Sequence, residues 1–189
     1  MAVLHSGFSN GRAQEPDRAA EIRPAVAWQE CDAATDRSAW NPRIARFFEY
    51  WLSIAPPGRL PGRQHFDPLD IPELMPRVWI LDVVRGPTGL RFRYRLVGTK
   101  EVETLQREVT GQWLDAVHPH LSARADAFDR FRHIAERGVA TYRKGQVSFL
   151  HHKDHRIVEN CMLPLARDGS RVDMIAACSV LYLLSGKEN

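Results

Sequence analysis

The sequence predicts an α+β fold: a five-stranded antiparallel sheet with helices on one face, plus an N-terminal helix. Three observations lead there. "RVWILDVV" and "LRFRYRLVG" are strand-like runs joined by "GPTG", which reads as a hairpin turn. After residue 138 come three more runs, "VATYRKGQVSFLH", "HRIVENCMLPLAR" and "SRVDMIAACSVLYLL", with "HKDH" and "RDGS" as the turns of a meander. Between the two sets lies helix-forming sequence, so the local pair joins the meander through a helical crossover.

Residues 1–35 mix Gly, Pro, Ala and charge without a period and read as a largely disordered tail. Residues 36–76 form an N-terminal helix and a Pro-rich connector. Asn41 caps the helix, Pro42 fits its first turn, and Pro56-Pro57-Gly58 stops it. Ile44, Phe47, Phe48 and Trp51 recur at three- and four-residue steps. That broad aromatic face either folds back on its own domain or serves as a dimerisation surface.

The domain proper spans residues 77–185. "RVWILDVV" is apolar and β-branched. "LRFRYRLVG" alternates, with Phe92, Tyr94 and Leu96 on one side and Arg91, Arg93 and Arg95 on the other. That arginine stripe reads as a solvated edge with neighbouring carboxylates. "TKEVETLQRE" and "GQWLDAV" are short helices around the Thr110-Gly111 turn. "HPHLSARADAFDRFRHIAERG" is the long helix, with Leu121, Ala125, Phe128, Phe131 and Ile134 inward and Gly138 at its end. The last strand is almost continuously apolar and belongs at the sheet's centre, buried on both faces.

Composition narrows the function. Apolar residues make up 44 % of the 189, enough for one core, and the net charge of +3 does not call for a nucleic-acid partner. Cys31, Cys161 and Cys178 make no C-x-x-C pair and read as reduced, packed thiols of a cytoplasmic protein. The longest apolar run, "MIAACSVLYLL", is far short of the ~20 residues a spanning helix needs. No G-x-S-x-G, phosphate-cradling G-x-x-x-x-G-K-[ST], G-x-G-x-x-G or H-E-x-x-H occurs, so no catalytic residue is assigned.

"RQHFDPLDIPELMP", "RFRYRLVGT" and "REVTGQWLDAV" together resemble a bacterial PAS-domain family. Its pattern runs from an N-terminal helix through "DFDP.DIP.LLP" and "FRYRL.GT" to "G.D.TG..LDE". The resemblance covers roughly residues 40–184. This chain departs from the pattern at His65, at Gln106 in place of a glycine, and at Glu108 in place of an aspartate. The resemblance implies a stand-alone sensory or regulatory module of signal transduction that is not an enzyme. It would act through a protein partner, a second copy of itself, or a small ligand.

It also implies a compartment above the sheet, either a sensory pocket or a packed core. Alternation and helix phase assign Phe92, Tyr94, Leu96, Trp113, Phe128, Phe131, Tyr142, Cys161 and Cys178 to it. No cofactor is called for. Haem is the alternative, through His133 on the long helix, although the helix phase turns that residue toward the flank. "HHKDH" places His151, His152 and His155 at a turn without completing a metal quartet, and it reads as solvated. A small enzyme or binding protein on a PAS-like scaffold is a further alternative.

Overall fold

The computed structural model describes residues 27–119, 128–146, 155–183 and 185–188. Most of the expected tail, Leu121 and Ala125 of the long helix, and His151 and His152 lie outside the described residues. Six strands form one antiparallel sheet: β1 (Gln29–Cys31), β2 (Val78–Gly86), β3 (Gly89–Val97), β4 (Ala140–Gln146), β5 (His155–Leu165) and β6 (Met174–Leu183). Their spatial order is β1-β4-β5-β6-β2-β3. The hairpin β2–β3 and the meander β4–β5–β6 are those the alternation predicts. β6 lies between β5 and β2, as its unbroken apolar run requires.

β1 corrects the expected tail. Gln29, Glu30 and Cys31 pair with Tyr142, Thr141 and Ala140, extending the sheet by one edge strand. Three residues are too few for a period to show, and pairing with β4 supplies what the pattern lacks.

Among the described residues four α-helices accompany the sheet: α1 (Pro42–Ser53), α2 (Thr99–Leu105), α3 (Leu114–Val117) and α4 (Asp129–Arg137). The helices α2 to α4 cover the inner face, built from Trp79, Leu81, Val83, Phe92, Tyr94, Met162, Ile175 and Ala177. Helix α1 covers the opposite, outer face. The Asn41 side chain accepts a hydrogen bond from Arg43 N at 2.9 Å, which caps α1 as predicted. Its stripe then packs on Val78, Ile80, Cys161, Leu163, Ala176 and Cys178.

This packing corrects the dimerisation surface. Ile44, Phe47 and Phe48 are 0 % exposed and Trp51 is buried, with its indole N–H donating to Pro164 O at 2.9 Å. The aromatic face of α1 is used up by the chain's own sheet and is not available to a second copy. Glu159, buried under the start of α1, fixes the attachment: Asn41 N and Tyr182 Oη (2.8 Å) donate to it, and Lys144 Nζ lies 2.8 Å away. Burial pushes its carboxyl up, but these donors together hold it below the usual carboxylate range.

The connector is built onto the same core. Phe66, Ile71 and Leu74 are buried against α1, and Asp67 caps a single turn over Pro68–Asp70 by accepting from Leu69 N at 2.9 Å. Gly98 joins this connector to β3. A Cβ there would meet the carbonyl oxygens of Met75 and Pro76 at 2.4 Å, so only glycine lets the two segments touch. The glycine of "RYRLVGT" and the "DIPELMP" stretch are thus two halves of one contact.

Candidate functional site

The inner face and helices α2 to α4 pack into the core where the sequence places either a sensory pocket or a filled interior. Its walls are aromatic. Phe131 of α4 packs on Phe92 (5.5 Å between centroids) and on Trp79 (6.4 Å), and Trp79 lies 6.4 Å from Tyr94. Leu114, Val117, Ile134 and Met162 complete the apolar part.

Polar groups are set into this apolar face at two places. At the β3 end, Tyr94 Oη and His118 Nε2 are 3.0 Å apart and both residues are buried. Burial raises the Tyr94 phenol far above its ordinary range, with the Glu101 charge adding to it, so the hydroxyl stays protonated. At the other end, antiparallel register puts Arg143, Asn160 and Ser179 side by side on β4, β5 and β6. Trp79 Nε1 donates to Ser179 Oγ at 2.9 Å. Arg130 of α4 reaches down to the same place. Its Nε donates to Thr141 Oγ1 at 2.8 Å, Nη1 to Asn160 Oδ1 at 2.7 Å and Nη2 to Thr141 O at 3.0 Å.

The structure divides the set assigned from sequence. Phe92, Tyr94, Phe128 and Phe131 lie on the inner side, with Phe128 packing on Phe131 at 6.2 Å. Leu96, Tyr142, Cys161 and Cys178 lie on the outer side with α1. A β-bulge explains Leu96. Leu81 pairs with Tyr94 but Ile80 with Leu96, so Arg95 is an extra residue and the alternation flips. Tyr142 stacks on Trp40 at 4.1 Å instead of entering the compartment. Burial raises the thiols of Cys161 and Cys178, which makes them packing groups of the outer core.

Trp113 is displaced too. Residues 111–113 pair along β3, with Gly111 N donating to Tyr94 O (2.7 Å) and Tyr94 N to Gln112 O (2.9 Å). Trp113 therefore sits opposite Arg93, with the Arg91 guanidinium 4.1 Å over its ring. The arginine stripe meets carboxylates, as expected: Arg91 with Asp115 at 3.0 Å, Arg93 and Arg95 with Asp82 at 3.2 and 3.3 Å. His133 points away from the compartment. Its Nε2 is 2.6 Å from Glu30 of β1 and its ring lies 4.8 Å from Trp28, so the residue that motivates a haem is engaged at the sheet edge.

Sequence reasoning missed Arg130, Arg143, Asn160 and Ser179. A signal was present. Arg130 lies four residues before inward-facing Ile134, and Arg143 two residues after Thr141, so helix and strand periods both point them inward. Their charge argued against burial and hid them.

Gln106, where the resemblance has glycine, ends α2 at φ 55°, ψ 22° and is the one non-glycine with positive φ among the described residues. A left-handed residue at a helix end is what glycine there supplies. Gln106→Gly is expected to raise stability by about 0.5–1 kcal/mol, and the melting midpoint by about 1–4 °C, by relieving that conformation. Differential scanning calorimetry of both chains measures this, and a lowered midpoint would contradict it.

A single antiparallel sheet whose inner face is roofed by short helices and carries buried polar groups defines a small α+β domain. The chain belongs to the PAS domain family, whose family model matches residues 40–178. Neither a curated protein nor a solved structure matches it. No helix among the described residues is long and apolar enough to cross a membrane.

Proposed function

We propose that this chain is a non-catalytic sensory and regulatory PAS module of the cytoplasm. It acts through association with a second copy and with a signalling protein, and a small molecule in the inner compartment sets that association. The observation that supports this reading is the buried polar row Arg143–Asn160–Ser179 on a face that is otherwise largely hydrocarbon and aromatic rings. Side chains that only filled a core would be apolar there, since buried polar groups are costly unless something bonds them. Association with a second copy uses a surface other than the buried stripe of α1.

Native mass spectrometry of the freshly purified full chain tests the reading. The expected spectrum carries a small-molecule increment that is lost on denaturation, and removing that molecule shifts the monomer–dimer ratio. A bare monomer at every concentration, unchanged by unfolding and refolding, would overturn it. A Soret band in the same sample would instead favour the haem sensor.

A further inference from the structure

Two guanidinium groups are buried on the inner face, and among the described residues no carboxylate meets them. Arg130 is 6 % exposed and Arg143 is 8 % exposed. The bonds of Arg130 go to Thr141 and Asn160, all neutral acceptors. Arg143 donates from Nη2 to Gln146 O, and its Nε is buried without a partner. Neither has an ion-pair partner among the described residues. Burial lowers both pKa values, to about 9 for Arg130, where the nearby Arg143 charge adds to the effect, and to about 10 for Arg143. Both groups are still cationic at neutral pH. Two buried like charges that no described carboxylate compensates are unfavourable for the protein without a ligand.

The neutral groups around them share one polarity. Asn160 Oδ1 accepts from Arg130, which leaves its amide N–H groups to donate. Ser179 Oγ accepts from Trp79 and Thr141 Oγ1 accepts from Arg130, so each hydroxyl hydrogen is left to donate. The place is therefore rich in donors and positive charge and short of acceptors. What it lacks is what an oxyanion has: negative charge and several lone pairs in one compact group. The adjoining row on the same face, Thr141–Met162–Ala177–Trp79, is largely apolar.

We propose that the inner compartment binds a small organic anion, its carboxylate or phosphate held by Arg130, Arg143, Asn160 and Ser179 and its carbon body lying on Met162 and Trp79. This rests on the compartment being a sensory pocket and names the chemical class of what it senses. Neutralising Arg143 then has two opposite effects. It weakens binding of the anion, and it relieves the empty protein of an unpaired buried charge.

The test uses the full chain, wild type and Arg143→Met, at fixed ionic strength in chloride. Benzoate supplies a carboxylate on an apolar body, phenyl phosphate a phosphate on the same body, succinate an anion without the ring, and benzamide a neutral isostere. At about 100 times Kd, a bound anion is expected to raise the wild-type midpoint by about 5–10 °C while benzamide leaves it unmoved. The benzoate and phenyl phosphate arms tell carboxylate from phosphate. Arg143→Met is expected to bind the active anion at least about tenfold more weakly in calorimetric titration and to melt higher than wild type when empty. If no anion moves the wild-type midpoint more than benzamide does, the proposal falls, whether or not the variant folds. It also falls if Arg143→Met keeps the full response. A neutral molecule retained in native spectra with no anion response would sink the anion while leaving the sensory module standing.

Discussion

Replacing Phe47 with alanine is expected to lower the unfolding free energy by about 3–5 kcal/mol, the usual cost of removing a fully buried ring. Phe47 is 0 % exposed on α1, and its ring meets Phe66 of the connector edge-on at 6.2 Å. The surrounding groups belong to a helix, a proline-rich connector and a six-stranded sheet, so they are poorly able to close over the cavity. Leu69, also apolar but 82 % exposed in the same connector, serves as the control, and Leu69→Ala should stay within about 0.5 kcal/mol of wild type. Denaturant unfolding of the full chain followed by circular dichroism measures both. If Phe47→Ala kept the wild-type midpoint and only dissociated an oligomer, α1 would be a docking helix and its place on the outer face would be wrong.

That contrast shows what the sequence could and could not convey. The limits of α1, its Asn41 cap and its apolar stripe were legible because helix period and capping are local. What the stripe meets is not local, and a free aromatic face and one folded onto a sheet read alike. The strands behave the same way. Their existence, pairing and the central place of β6 follow from alternation and apolar content. Once helices cover both faces, however, a buried strand residue carries no mark of which core it enters, and Cys161 and Cys178, expected on the inner face, lie in the outer core. Leu96 failed for a sharper reason, since one bulged residue, Arg95, reverses the phase of everything beyond it. The two arginines of the polar site are hidden in the sequence because charge ordinarily marks a solvated position. Buried arginines are rare enough that the inference is usually sound, and the exceptions tend to mark a site.

Glu101 supplies the second large effect, one that pH should reveal. The residue lies on α2 and is 8 % exposed. Burial pushes its carboxyl up to about 8, with the Arg77 charge opposing, and Tyr94 and Cys178 are the other titratable groups that feel it. The unfolded chain releases this proton near the ordinary carboxylate value, roughly 4.3. Between those two values the folded chain binds more protons than the unfolded one, so stability falls as pH rises and the loss is complete a little above pH 8. At about 1.4 kcal/mol per pH unit over that interval, the loss is on the order of 5 kcal/mol. Glu101→Gln keeps the shape and removes the titration. Its unfolding free energy should match wild type near pH 4.5 and exceed it increasingly toward pH 8.5. Glu159, whose folded-state pKa is depressed, acts in the opposite sense: its contribution is present above the ordinary carboxylate range and is lost only as pH falls below it. That titration is common to both chains and cancels in their difference. Urea unfolding of wild type and Glu101→Gln across pH 4.5–9 decides the matter: curves that stay parallel would mean that Glu101 ionises freely in the folded protein and that the junction of α2 with the sheet is open to water.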